Sequence, residues 1–151
     1  MNRPIVIVED SDDDFYAVKR ILQKAGFVHE IIHCEDGDEA LDYFFGKEGS
    51  HPALMKDSKP LIILLDLNLP GIDGHEVLAR IKADESLKTI PVIVFSTSTL
   101  ENDINRAYEA GANTFVHKPV KYDEYEKAVV LLKNYWIDLA STASLPNGSR
   151  F

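Results

Sequence analysis

Five apolar residues, Leu61 to Leu65, run unbroken into a carboxylate, Asp66, between Pro60 and Pro70. A run this short, held between two helix breakers, reads as a strand buried on both faces, the centre of a parallel sheet. Open parallel sheets do their chemistry beyond the carboxyl ends of their strands. Asp66 is the first polar residue at that end. An aspartate there also suits a plain turn, so the rest of the chain has to decide.

The same pattern recurs. Ile5 to Val8 is a β-branched run ending in Glu9-Asp10-Ser11-Asp12-Asp13-Asp14, and Ile31 to Cys34 is a weaker one. Pro91-Val92-Ile93-Val94-Phe95 ends in Ser96, and Thr114-Phe115-Val116-His117 ends in Lys118-Pro119. Between them lie helical patterns: Phe15, Val18, Ile21, Leu22 and Ala25 up to Gly26; Ala40, Leu41, Phe44 and Phe45; Val77, Leu78 and Ile81; Ile104, Ala107 and Tyr108 up to Gly111. A last helix is predicted from Tyr122 to Ala140. Residues 46–60 read as a long loop with one helical turn near Ala53-Leu54-Met55, and long loops in compact domains tend to be functional. Residues 141–151 read as a disordered polar tail. Strand–helix alternation at this spacing predicts an α/β fold in one domain, residues 1–140: a doubly wound five-stranded parallel sheet with helices on both faces.

Composition excludes some functions. The net charge of −9, from 16 basic and 25 acidic residues, argues against a nucleic-acid surface. The single cysteine, Cys34, excludes an internal disulfide and a cysteine metal cluster. No apolar run reaches the length of a membrane span, and Met1-Asn2-Arg3-Pro4 leads straight into a strand with no signal peptide. The expectation is a cytoplasmic protein. His29, His33, His75 and His117 form no ligand spacing, and His75 is expected to be exposed.

The strand ends would share one rim. It would gather Glu9, Asp10, Asp66, Ser96 and Lys118. Crowded carboxylates raise one another's pKa. A hard divalent cation relieves that cost, and Mg²⁺ suits one or two carboxylates plus a phosphate. A carboxylate can act as nucleophile toward a phosphoryl group, with Lys118 as point charge and Ser96 as hydrogen-bond donor. A Mg²⁺-dependent aspartyl-phosphate phosphohydrolase would use similar parts. It would want a second carboxylate where Asn68 stands. A flavin binder would want hydroxyls where the acidic run 9–14 stands.

With Val8-Glu9-Asp10, Asp66-Leu67-Asn68-Leu69-Pro70-Gly71-Ile72-Asp73-Gly74, Phe95-Ser96 and His117-Lys118-Pro119 all in place, the chain resembles the receiver domain of two-component response regulators over residues 4–135. The resemblance implies a flavodoxin-like fold and a phosphoryl group accepted by Asp66 from a phosphohistidine on a sensor histidine kinase. It implies Mg²⁺ held by Asp10, Asp66 and the backbone carbonyl of Asn68, with Glu9 acting through water. Ser96 and Lys118 would bind phosphoryl oxygens. Phe115 would change rotamer as Ser96 moves, and Lys118–Pro119 is often cis in the family. Such a protein is no enzyme beyond its own phosphorylation and slow dephosphorylation. The acidic start, the long loop and the long last helix look most like regulators paired with cyanobacterial phytochrome kinases. A degenerate receiver that only binds partners would lack some of these residues.

Tyr125, Val129, Leu132, Trp136 and Leu139 recur at spacings of four and three. Ala128, Leu131 and Tyr135 lie beside them. One helix on one sheet needs a single apolar stripe, so the wide apolar surface predicts a homodimer through this seam.

Overall fold

The structure is a computed structural model that describes residues 3–46 and 59–143. The predicted loop 46–60 therefore lies outside the described residues except at its ends, as does the tail beyond residue 143.

Five parallel strands, β1 (Ile5–Val8), β2 (Ile31–Cys34), β3 (Ile62–Leu65), β4 (Val92–Ser96) and β5 (Thr114–His117), form one sheet in the order β2-β1-β3-β4-β5. They alternate with α1 (Asp12–Lys24), α2 (Gly37–Phe45), α3 (Gly74–Ala83), α4 (Glu101–Glu109) and α5 (Tyr122–Lys133). The expected α/β architecture is present. Strand side chains alternate between faces. Val6, Val8, Ile63, Leu65, Val92 and Val94 therefore face α2, α3 and α4, while Ile5, Ile7, Ile62, Leu64, Ile93 and Phe95 face α1 and α5. Both faces of β1, β3 and β4 are buried, which is why their sequences run apolar without alternation. Cys34 is a core residue whose thiol burial pushes up to about 12, an unreactive state.

Polar side chains start α1, α2 and α3. Ser11, Asp36 and Asp73 each accept the backbone N–H three residues on, satisfying an otherwise orphaned donor. Gly26 and Gly111 end α1 and α4 with φ of 100° and 108°, where side-chain-bearing residues are strained.

The final helix departs from the expected single helix to Ala140. α5 stops at Lys133, and Asn134–Leu139 is π-helical. Lys133 Nζ donates to Asp138 Oδ2 at 2.8 Å across this segment. Residues five apart diverge by about 140° on an α-helix. The wider π turn returns them to one face.

The predicted dimer seam also needs correction. Tyr125 and Val129 are buried against β1, β3, β4 and α1, with 6% and 1% exposure, so they are this domain's own core. Leu132 and Trp136 are half-buried along the same stripe. The outward residues are Leu131, Tyr135 and Leu139.

Gly74 fixes α3 against the end of β3. A Cβ there would lie 2.4 Å from the Asp66 carbonyl oxygen and 2.5 Å from Leu67 Cα, both backbone atoms that cannot step aside. Gly74→Ala is expected to cost about 3 kcal/mol, lowering the melting temperature by about 6–12 °C. Gly71→Ala, strained at φ 72° but otherwise 3.6 Å from the nearest side chain, should cost only about 1–2 kcal/mol. Urea unfolding of both variants decides the matter, and equal losses would refute the close-approach argument.

Candidate functional site

The strand order reverses direction between β1 and β3, which opens a crevice at their carboxyl ends. Backbone bonds carry the ladders one residue further: Glu9 N–H donates to Cys34 O, Asp66 N–H to Val8 O and Lys118 N–H to Ser96 O. Glu9, Asp66, Ser96 and Lys118 are therefore set by the sheet, not by mobile loops. All four are buried, whereas Asp10 is exposed.

Lys118 Nζ ties the carboxylates together. It donates to Glu9 Oε1 at 2.7 Å, Asp14 Oδ2 at 3.2 Å and Asp66 Oδ2 at 3.3 Å. Backbone N–H groups hold the opposite oxygens, Ser11 on Glu9 Oε2 and Asn68 on Asp66 Oδ1, both at 3.1 Å. Burial pushes the Glu9 carboxyl up to about 7, with Lys118 opposing and the Asp66 charge adding to the rise. Burial works against the Lys118 ammonium, yet the Glu9 hydrogen bond and charge, then Asp66 and Asp14, outweigh it and hold its pKa above the usual lysine range.

Carboxylate oxygens of Glu9, Asp10 and Asp66 lie within 4.8 Å of one another. That is an all-oxygen donor set of the kind a hard divalent cation takes. Burial, with the Asp66 charge adding, makes an ionised Glu9 costly without a further cation, and the oxygen-only donor set fits such an ion.

The family model for the response regulator receiver domain matches residues 5–130. The chain belongs to that family. Response regulator Rcp1 of Synechocystis sp. is 37% identical over 142 residues, covering 94% of this chain and 92% of its own. The "Probable methanogenesis regulatory protein FilR2" of Methanothrix harundinacea is 39% identical, covering 88% of this chain and 83% of its own. Among solved structures, the Mn²⁺-bound form of Rcp1 superposes with a TM-score of 0.83 at 34% identity, covering 93% of this chain and 99% of its own. The phosphorylated cyanobacterial phytochrome response regulator RcpA superposes with a TM-score of 0.85 at 35% identity, covering 95% and 100%.

This receiver domain thus brings Glu9, Asp10, Asp66 and Lys118 together. Ser96 stands on the same rim, fully buried, its Oγ accepting the Ser98 N–H at 3.1 Å. Phe115 is half-buried beside α4, its N–H donating to the Tyr108 hydroxyl at 3.0 Å. Lys118–Pro119 is trans. His75 is not exposed as expected: its side chain keeps 11% exposure and meets Asp103. Two site neighbours were missed in the sequence. Asp14 sits four and seven residues before the buried Val18 and Ile21, so the α1 stripe itself points it inward. His33 stacks on Phe15 with centroids 3.7 Å apart, and its Nε2 lies 2.8 Å from the Glu9 carbonyl oxygen. No sequence signal announces that contact. Among the described residues no helix is long and apolar enough to cross a membrane.

Proposed function

We propose that this receiver domain is cytoplasmic, takes a phosphoryl group on Asp66 from a phosphohistidine of a phytochrome-type sensor histidine kinase, and signals by protein contact. The observation that carries the reading is the Lys118 ammonium bridging Glu9 and Asp66 at the sheet's switch point. An Asp66 carboxylate oxygen attacks phosphorus as the bond to the histidine nitrogen breaks. Lys118 and the Ser96 hydroxyl stabilise the charge spread over the transferred oxygens. Phe115 then turns inward as Ser96 moves. The phytochrome pairing draws on the likeness to RcpA and Rcp1.

Glu9, Asp10, Asp66 and the backbone carbonyl of Asn68 would hold Mg²⁺, Glu9 through water. The ion supplies charge neutralisation for the incoming phosphoryl oxygens. The domain extends through residue 140, with a tail beyond it. A second copy would pack on the outward side of the last helix, around Leu131, Tyr135 and Leu139. Sedimentation of Tyr135→Glu against the wild type tests that. A wild type monomeric at high micromolar concentration, phosphorylated or not, refutes the dimer.

The direct test is phosphotransfer. A phytochrome-type kinase labelled on histidine is expected to pass one hydroxylamine-labile phosphoryl group to each chain. Transfer only from kinases without a photoreceptor refutes the pairing, and no transfer from any kinase or acyl phosphate refutes the function.

Metal binding has its own prediction. Glu9 titrates at about 7 in the fold against an ordinary 4.5. Its protonated form therefore favours the fold fully below pH 4.5, and that contribution is lost as pH rises through about 7. Mg²⁺ favours the ionised carboxylates, so its affinity should rise with pH over this window and its binding at pH 6 should release protons. At a hundredfold excess over Kd the stabilisation is about 2.7 kcal/mol, about 5–10 °C in melting temperature. Calorimetric titrations at pH 6 in buffers of unlike ionisation heat detect the protons. A full Mg²⁺ gain in Asp10→Asn would refute the ligand set.

A further inference from the structure

The Ser96 hydroxyl is the first link of a chain that leaves the crevice. Its oxygen accepts the Ser98 N–H at 3.1 Å. Ser98 Oγ donates to Asp103 Oδ2 at 2.6 Å and accepts the Leu100 N–H at 3.3 Å. The other Asp103 oxygen, Oδ1, lies 3.3 Å from His75 Nε2. Ser98 belongs to the loop between β4 and α4, Asp103 to the first turn of α4, and His75 to the first turn of α3. One carboxylate thus joins the loop to two helices.

The tautomer of His75 follows from burial. Its Nδ1 is buried and has no hydrogen-bond partner among the described residues. A proton there would be an unpaired buried N–H, a costly state. The ring therefore carries its proton on Nε2 and donates it to Asp103. Asp103 accepts from Ser98 on one side and His75 on the other, and the Ser98 hydrogen bond holds its carboxyl below the usual range, with burial opposing and His75 adding to the fall. A short bond to an ionised acceptor is roughly twice as strong as a neutral one.

We propose that His75 and Asp103 are positioning residues for phosphoryl transfer: through Ser98 they latch the β4–α4 loop and hold the Ser96 hydroxyl in its resting place. The proposal rests on the reading of Asp66 as acceptor and Ser96 as phosphoryl ligand. If Ser96 must move to meet the phosphoryl group, contacts made only in the resting arrangement oppose that movement by their own differential strength. Loosening the latch raises the population competent to accept the group, and with it the labelling rate.

The test is the initial rate of labelling by acetyl phosphate at fixed Mg²⁺. His75→Ala and Asp103→Ala are each expected to label at least about fivefold faster than wild type, the low end of coupling between sites. His75→Gln, which keeps an N–H donor, is expected to return toward the wild-type rate. The double variant should be no faster than Asp103→Ala alone, because His75 acts only through that carboxylate. A merely structural role would slow labelling and would not be rescued by glutamine. Unchanged or slower rates, or multiplying effects in the double variant, overturn the latch. Where Asp103→Ala fails to fold, Asp103→Asn replaces it. If the wild type takes no label, the reading of Asp66 fails by itself, and the latch is judged by amide exchange at Ser98 and Leu100. Faster exchange there in His75→Ala at unchanged global stability supports it, and unchanged exchange overturns it.

Discussion

Asp66→Asn is expected to take up no phosphoryl group from acetyl phosphate while folding as the wild type does. The neighbouring carboxylates cannot stand in for it. Glu9 has both oxygens engaged, by Lys118 and by the Ser11 N–H, and burial keeps it partly protonated near pH 7. Asp10 is exposed and makes no hydrogen bond to Lys118 in the structure. An amide is also no nucleophile toward phosphorus under these conditions. The fold should tolerate the change, because an asparagine oxygen can still accept the Asn68 N–H now held by Asp66 Oδ1 at 3.1 Å. A stability change within about 1 kcal/mol is expected, since Lys118 keeps Glu9 and Asp14 as partners. Removing the Asp66 charge also removes one of the causes that raise Glu9, so Glu9 should titrate lower in the variant. Carboxyl chemical shifts followed against pH measure that shift. Label persisting at the wild-type level would mean that another residue is the acceptor.

Much of this site was legible because parallel strands buried on both faces leave a clear end-mark. Leu65 gives way to Asp66 and Phe95 to Ser96 at the point where the sheet stops needing apolar side chains. Order along the sheet then follows from short crossovers, and order places the polar ends on one rim. The last helix was harder, for a geometric reason. Seven residues separate heptad from α-helical periodicity by only about 20°, so Tyr125, Val129 and Leu132 fit a dimer seam and a core stripe alike. Their packing in one cluster with Ile5, Val18, Leu22 and Ile62 shows which they serve: they cover the sheet. The π-helical turn brings Lys133 to Asp138, five residues on, and no α-helical spacing in the sequence announces that pair. His75 and Asp103 stand 28 positions apart and meet only because α3 and α4 pack side by side. No local spacing encodes such a pair.

Lys118→Met is expected to destabilise the metal-free protein more than any exposed substitution could. Lys118 has 4% exposure, and its ammonium contacts three carboxylates, two of them buried. Removing one partner of a buried ion pair typically costs about 3–5 kcal/mol, because the remaining charge is left without compensation. Methionine keeps the length of the lysine stem and removes the ammonium, which also lies 5.7 Å from the Phe95 ring centroid, so the loss reports charge and not a cavity. The loss should depend on pH. Lys118 is what opposes the burial-driven rise of Glu9. Without it the folded-state pKa of Glu9 climbs further above the ordinary 4.5, and the fall in stability that begins above 4.5 continues to that higher value. At pH 6 Glu9 escapes the cost by holding its proton, whereas at pH 8 it must ionise or pay for staying neutral. Urea unfolding is therefore expected to show a larger deficit at pH 8 than at pH 6. Adding Mg²⁺ should recover part of it, since a cation among the same oxygens replaces the missing positive charge. A deficit under about 1 kcal/mol, or one equal at both pH values and unmoved by Mg²⁺, would mean that Lys118 does not hold these carboxylates together.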